Sequence, residues 1–307
     1  MNEQQRLLAK RHILQLRCEI LQLIRKFFLE QGFLEVQTPL RTREPLPELH
    51  INAVGCDGWY LITSPESHMK RMVAAGYNRI YQICKVFREG ESGRFHHPEF
   101  TILEWYQLGD DYSHLKKNCQ MLLTKLCKAL DRYPTLTYQG HTLEVRQPWC
   151  EYTVREAFLR WAGWDPTGSE DCDRFELDLV EHIEPHLGFP TPCFLKDYPK
   201  EYASLARLKP DNPLLADRIE LYWAGIELAN GFVELTDPEE QRKRFILTNR
   251  ERQRRGLPPY PLPEAFLQSL CHLPPCVGMA LGVDRLVMIL ADVHHIDQVV
   301  AFPPVSG

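Results

Sequence analysis

An arginine closes one apolar run and a phenylalanine opens the next. RIYQICKVF leads into Arg88, a short polar loop with two glycines and two histidines follows, and the chain returns as PEFTILEW, carrying Phe100 and Glu104. An arginine at the root of such a hairpin can grip a phosphate through two parallel N–H donors. An aromatic ring on the returning strand can stack on a purine. Arg285, at the start of the last helical segment, offers a second phosphate contact. Glu220, Glu227 and Glu234 recur every seven residues. Two carboxylates can hold Mg²⁺ between phosphate oxygens, and a third can pair with an ammonium. Odd offsets along a strand alternate faces, so a turn or bulge must intervene before all three look into one site. Singly, each residue has a plainer reading: a surface salt bridge for Arg88, core for Phe100, helix surface for Arg285, a wet sheet face for the acids. Neither a GxxxxGK[ST] loop nor a GxGxxG fingerprint is present. A nucleotide would therefore be held by side chains over an open sheet.

The elements that must position these residues show in the patterning. Ile20, Leu23, Ile24, Phe27 and Phe28 make one helical stripe, with Gly32 placed as its C-terminal cap. FLEVQTPL alternates as a strand and stops at Pro39. RTREPLPELHINAVGCDGWY reads as an active-site loop. The next segment reads strand, helix, strand, with Ser64 as N-cap, Pro65 at the first helical position and Glu66 in the first turn. Gly76 ends that helix. An amphipathic helix follows at about 112–130, its stripe including Leu115, Leu122, Leu126 and Leu130. The stretch at about 135–213 is rich in proline and tryptophan and reads as an irregular insertion between halves of one sheet. RIELYWAGIELANGFVEL predicts two strands joined by a turn, and VGMALGVDRLVMILADV a glycine-bearing strand feeding a helix. The pattern is α+β, mostly antiparallel strands with helices on one side, in a single domain over 1–307.

Composition narrows the function classes. The 307 residues are 44% hydrophobic and 25% charged, ordinary for a globular protein. No apolar stretch approaches the ~20 residues that span a bilayer, and MNEQQRLLAKRH lacks the apolar core of a signal peptide, so the expected location is cytoplasmic. Ten cysteines fall at irregular spacings with no CxxC pair. Cys271 and Cys276, with His272 between them, are the nearest approach to a zinc site but lack a second ligand pair. The net charge of −5 excludes a chain-wide polyanion binder. One basic run, Gln241 to Gly256, carries seven Arg/Lys and one Glu. It reads either as a solvated helix face or as a docking face for an acidic partner or nucleic acid.

Taken together the segments resemble the class II aminoacyl-tRNA synthetase core of the lysine type. QGFLEVQTPL looks like motif 1, the dimer-forming helix and strand, FREGESGRFHHPEFTILEWY like motif 2 and GMALGVDRL like motif 3. SPESHMKR and ELANGFVELTD are similar to the lysine-type pocket strings. The resemblance covers nearly the whole chain except the middle insertion. Motif 1 begins within ~30 residues of Met1, too few for an anticodon-reading N-terminal OB domain. Free-standing cores of this kind resemble the elongation factor P–(R)-β-lysine ligase family. The resemblance implies a homodimer through motif 1. It implies ATP-dependent activation of lysine or (R)-β-lysine as an adenylate, and transfer to a lysine ε-amino group on elongation factor P, with tRNA not the acceptor.

The same resemblance implies roles. Arg88 and Arg285 would be the catalytic cations, Arg88 on the α-phosphate and the amino-acid carboxylate, Arg285 above the base or at the γ-phosphate. Phe100 would stack under adenine. Glu91 and His96 of the hairpin loop would also line the ATP site. Glu220 and Glu227 would coordinate Mg²⁺. Glu66, Glu104 and Glu234 would receive the two substrate ammonium groups, with Tyr106 and Asn230 as hydrogen-bonding neighbours. The chain departs from the pattern twice. Where the family often has an acid two residues after the motif 2 arginine, this sequence has Gly90, flanked by Glu89 and Glu91. Where the family has His-Asn, it has His96-His97. Ala280 stands where lysyl-tRNA synthetases tend to have glycine, and its methyl group would favour the β-isomer. Three alternatives stay open: a short synthetase charging tRNA, a catalytically inactive paralogue serving as a binding module, and, more distantly, a synthetase-like asparagine synthetase.

Overall fold

The computed structural model describes residues 2–304. Helix α1 (Glu3–Glu30) starts from an Asn2 cap whose side chain accepts the Gln5 N–H while the Gln5 side chain accepts from Asn2 in return. Its stripe is buried at Ile20, Ile24, Phe27 and Phe28, and Gly32 follows at φ 74°, a conformation that suits glycine. FLEVQTPL pairs over less than the alternation suggests. Strand β1 is Leu34–Glu35, parallel to β5 (Arg79–Phe87), with one further bond from the Val36 N–H to the Tyr81 carbonyl.

The expected loop between them carries a small sheet of β2 (Arg41–Thr42), β3 (Gly55–Cys56) and β4 (Trp59–Leu61), in the order β2-β4-β3. Helix α2 (Glu66–Ala74) begins one residue later than expected. Pro65 occupies the cap position, and the Ser64 hydroxyl accepts the Glu66 N–H from outside the helix.

Strands β5 and β6 (Glu99–Leu108) form the expected hairpin, in register from Arg79↔Gln107 to Phe87↔Glu99. Helix α3 (Ser113–Ala129) follows. The segment expected to be irregular is built of regular elements. It holds the hairpin β7 (Thr135–Tyr138) and β8 (His141–Glu144), then β9 (Cys150–Thr153), α4 (Val154–Trp161), α5 (Cys172–Asp178) and β10 (Cys193–Pro199). Strands β9 and β10 extend the main sheet at its edge rather than interrupting it. The aromatics noted in the sequence form a separate core, with Phe175 stacked between Phe158 and Tyr202 at 4.7 and 4.2 Å. The chain ends with β11 (Leu215–Trp223), β12 (Ile226–Val233), α6 (Pro238–Arg254), α7 (Glu264–Leu270), β13 (Cys276–Gly282) and α8 (Val283–Leu290). Ala224 and Gly225, at φ 55° and 72°, make the tight turn between β11 and β12.

The resulting eight-stranded sheet has the order β1-β5-β6-β13-β12-β11-β10-β9. It is parallel at each edge pair and antiparallel between. Its two faces follow the period-2 rule. Leu103, Trp105, Met279 and Leu281 point into the main core beneath α1, α3 and α8. Phe100, Ile102, Glu104 and Tyr106 point the other way and line a cleft. Beyond one end of that cleft, α2, α6 and α7 pack around Val73, Phe245 and Phe266.

One cation of the basic run is inside the fold, and four more make ion pairs at its surface. Arg252 is 0% exposed, donates to the carbonyls of Glu48 and Pro258, and lies over the Tyr260 ring. Arg242 grips Glu264 with two bonds, Arg244 pairs with Glu240, and Arg254 and Arg255 pair with Glu251. No described helix is long and apolar enough to cross a membrane.

Candidate active site

The cleft over the open sheet face has a volume of about 290 Å³. At one end, cations and an aromatic converge. Arg88, just after β5, lies with its guanidinium carbon 5.0 Å from the centroid of Phe100 on β6. Its Nη1 is 3.6 Å from Glu91. Of the two acids that flank Gly90, Glu91 is the one near Arg88. Gly90 turns the chain at φ 79°, Glu89 points to solvent, and Glu91 lines the cleft. Arg285, in the first turn of α8, donates to the Glu227 carbonyl at 2.7 Å and its carboxylate at 3.2 Å, and meets His96 Nε2 at 2.5 Å. Burial and Arg285 hold the His96 imidazole below its ordinary range, which favours the neutral ring. His97 is buried and bonded through Nε2 to Asp297 at 2.6 Å.

The three acids spaced by seven do reach one face, by the device the spacing required. The β11–β12 register slips by one residue between Leu221↔Ala229 and Tyr222↔Glu227. That bulge places Glu227 on the same side as Asn230, and Asn230 opposite Glu220. Glu234 follows two pleats on. Burial works to raise the Glu227 carboxyl, but Arg285 and Arg218 prevail and hold it low, hence ionised.

Glu220 is differently placed. Its Oε1 accepts from Arg218 at 2.6 Å, and its Oε2 accepts from both Tyr198 and Tyr222. Both oxygens are engaged, so the side chain stands behind Glu227 and not free in the cleft. Glu184, which sequence reasoning missed, is pushed up to about 7 by burial and by the charges of Glu227 and Glu220. Among the described residues no three His, Cys, Asp or Glu side chains are arranged to hold a metal ion. Cys271 is exposed while Cys276 is buried, which gives no support to a zinc site. Carboxylate oxygens suit Mg²⁺, which takes one or two of them plus phosphate oxygens. Glu227 fits that requirement as it stands, and Glu220 fits once it gives up a tyrosine bond.

The other end of the cleft is acidic. Glu66 on α2, Glu104 on β6 and Glu234 after β12 are each at most 9% exposed. Tyr106 donates to Glu104 Oε1 at 2.6 Å and Ser64 to its Oε2 at 2.8 Å. Burial, then the Glu66 charge, push Glu104 up to about 7. Burial lifts Glu234 to about 8 despite Lys70 beside it. The Oε1 of Glu234 and the Oδ1 of Asn230 are buried without a hydrogen-bond partner, a costly arrangement that a donor in the cleft would relieve. Ala280 lies between Asn230 and Glu104 across β12, β13 and β6.

Two residues here escaped sequence reasoning. Lys70 reads as one of several charges on an amphipathic helix, yet it is buried between Glu66 and Glu234. Gly278 reads as a strand glycine. A Cβ there would collide with the Tyr106 ring and Glu234 Oε1, so only glycine lets these two close on the pocket floor. A glycine inside a strand does signal a close approach, and that was the available clue.

The hairpin that carries Arg88 and the helix head that carries Arg285 are the segments on which the synthetase-core resemblance rests. The family model for tRNA synthetases class II (D, K and N) matches residues 4–306, and the chain belongs to that family. Within it, curated relatives share a narrower name. The elongation factor P–(R)-β-lysine ligase of Vibrio atlanticus is 39% identical over 306 residues, covering 94% of each chain. That of Vibrio cholerae is 39% identical over 307 residues, also 94% of each. That of Salmonella gallinarum is 40% identical over 308 residues, 93% of each.

Proposed function

We propose that this chain is an ATP-dependent ligase that activates (R)-β-lysine and joins it to a lysine side chain of elongation factor P. The observation that carries this reading is one cleft with two chemistries. Phosphate- and base-binding groups (Arg88, Phe100, Arg285) face three buried carboxylates suited to a diamino acid.

The barrier to activation is bringing a carboxylate up to a polyphosphate. Arg88 stands where it can neutralise both, and Arg285 meets the leaving pyrophosphate end, a preorganised electrostatic contribution. For a purine to stack on Phe100, the Arg88 guanidinium leaves that ring face for the phosphate. Glu227, with Glu220 behind it, would hold Mg²⁺, which when bound supplies charge neutralisation between phosphate oxygens. The substrate carboxylate attacks the α-phosphorus, pyrophosphate departs, and a mixed anhydride with AMP forms. The acceptor's neutral amine then attacks the acyl carbon, AMP leaves, and an amide results after loss of the amine's proton. Glu66, Glu104 and Glu234 receive the substrate's ammonium groups, with Tyr106 and Asn230 as hydrogen-bonding neighbours. Ala280 narrows the floor between them.

The chain is taken as one catalytic domain, dimeric through the α1–β1 region, and cytoplasmic, in keeping with ten unbridged cysteines. The tRNA-charging alternative leaned on the basic run, and five of its seven cations are committed to ion pairs or buried carbonyls. ATP–pyrophosphate exchange tests the reading. Exchange should depend on (R)-β-lysine or lysine and be absent with asparagine or aspartate. Absence of exchange with every lysine isomer would favour the inactive paralogue.

A further inference from the structure

A cation is built into the acid pocket. Lys70, from the second turn of α2, is 1% exposed. Its Nζ lies 2.6 Å from Glu66 Oε1 and 2.5 Å from Glu234 Oε2, and 6.0 Å from the Phe266 ring centroid. Glu104, Tyr106 and Cys276 from β6 and β13, and Glu48 from the loop after β2, are the other titratable groups that face this cluster. A buried ammonium is expensive, and an apolar side chain of the same reach is often as stable in its place. Stability alone therefore gives no reason for a lysine here. The charge balance does. Once all three acids are ionised, three carboxylates against one ammonium leave two negative charges, the complement of a bound substrate that carries two ammonium groups.

We propose that Lys70 is a positioning and specificity-determining residue. It is a resident counter-cation that holds one oxygen of Glu66 and one of Glu234 and leaves their other oxygens for the substrate's distal ammonium. This rests on the reading above that the substrate is a lysine isomer. Both Glu234 oxygens are buried without a well-directed hydrogen bond; Oε2 has the Lys70 ammonium beside it, and Oε1, set over Gly278, is the one left for a donor in the cleft. Without Lys70, three acids would share one dry site with no cation among them, and a proton would be held there more tightly. A dication would then have to displace that proton to bind. The lysine thus makes the pocket select a diamino acid over its monoamine analogue of equal length.

The test compares wild type with Lys70→Met and Lys70→Arg by ATP–pyrophosphate exchange between pH 6.5 and 9. Wild-type exchange with (R)-β-lysine or lysine is the control, and its absence would count against the ligase reading itself, not against Lys70. For Lys70→Met, KM for the amino acid should rise roughly 10- to 100-fold at pH 7, from the one to two units by which a lost charge partner moves a carboxyl, with kcat within about threefold. The ratio of mutant to wild-type KM should shrink as pH rises, because the extra proton is already gone. Preference over the analogue lacking the ε-amine should fall about as much as KM rises. Lys70→Arg should keep the wild-type pH profile. A ratio independent of pH, with preference unchanged, would overturn the proposal. If Lys70→Met fails to fold, Lys70→Arg decides: a wild-type profile and selectivity support the role of the charge, and lost selectivity in a folded, charged variant contradicts it.

Discussion

Gly278 and Ala280 stand two residues apart on β13 and set the pocket floor by what they lack and what they add. At Gly278 a methyl group would meet the ring of Tyr106 and the carboxylate of Glu234. Overpacking of this kind costs about 1–3 kcal/mol. Gly278→Ala should therefore raise KM for the amino acid by roughly tenfold or more and leave KM for ATP nearly unchanged, as amino-acid- and ATP-dependent exchange kinetics would show. Equal effects on both substrates would mean that the strand, not the pocket, had moved. At Ala280 the reverse change opens space. Ala280→Gly should shift preference toward α-lysine by a ratio worth ~1–3 kcal/mol. Exchange rates with the two isomers measure it, and an unchanged ratio removes Ala280 from the specificity argument. Residues of this kind differ in legibility. Arg88, Phe100, Glu104 and Arg285 were legible only in combination, through the motifs the hairpin and the last helix resemble, since Arg88, Phe100 and Arg285 each have a plainer reading taken singly. Lys70 was not, because HMKR on an amphipathic helix reads as solvated charge until Glu66 of the same helix and Glu104 and Glu234 of other elements are seen around it.

At the scale of elements, β6 and the head of α8 are tied together from behind. Arg17 of α1 reaches Asp284 Oδ1 at 2.5 Å and the Thr101 hydroxyl at 2.8 Å, while Asp284 Oδ2 accepts the Thr101 N–H at 2.6 Å. Asp284 adjoins Arg285 and Thr101 adjoins Phe100, so α1 sets the spacing between β6 and the head of α8. Breaking a buried pair typically costs 3–5 kcal/mol. Arg17→Met should lower Tm by several degrees and raise KM for ATP more than KM for the amino acid. Calorimetry with exchange kinetics reads both, and a stable variant with wild-type ATP kinetics would rule the clamp out. The helix stripe, the motif 2 hairpin and the β13–α8 unit were legible as elements because their signals are local. The bulge at Leu221–Tyr222 was legible only as a need, since seven-residue spacing on strands demands one. Strands β9 and β10 were not legible. Their pairing joins residues some forty positions apart, and CFLKDYP lacks clean alternation, so the GFPTP turn signal before it marks a boundary without a strand pattern to follow.

For the whole molecule, the buried acids couple substrate to stability. Glu104 at about 7 and Glu234 at about 8 lie above the unfolded carboxylate range. Between pH 5 and 8 the folded protein therefore binds more protons than the unfolded chain, and their contribution to stability falls as pH rises. The substrate-free protein should lose Tm from pH 6 to 8, and the Tm gain from saturating (R)-β-lysine should grow over the same interval. Thermal melts with and without the amino acid test this, and a pH-independent gain would contradict it.

The acceptor remains the most direct test. Purified elongation factor P is incubated with this enzyme, ATP, Mg²⁺ and (R)-β-lysine, and its intact mass is measured beside a parallel tRNA-charging assay. The expected result is a gain of one lysyl unit on the protein with tRNA uncharged. Charged tRNA with unmodified elongation factor P would contradict the proposed function and return the chain to the synthetases.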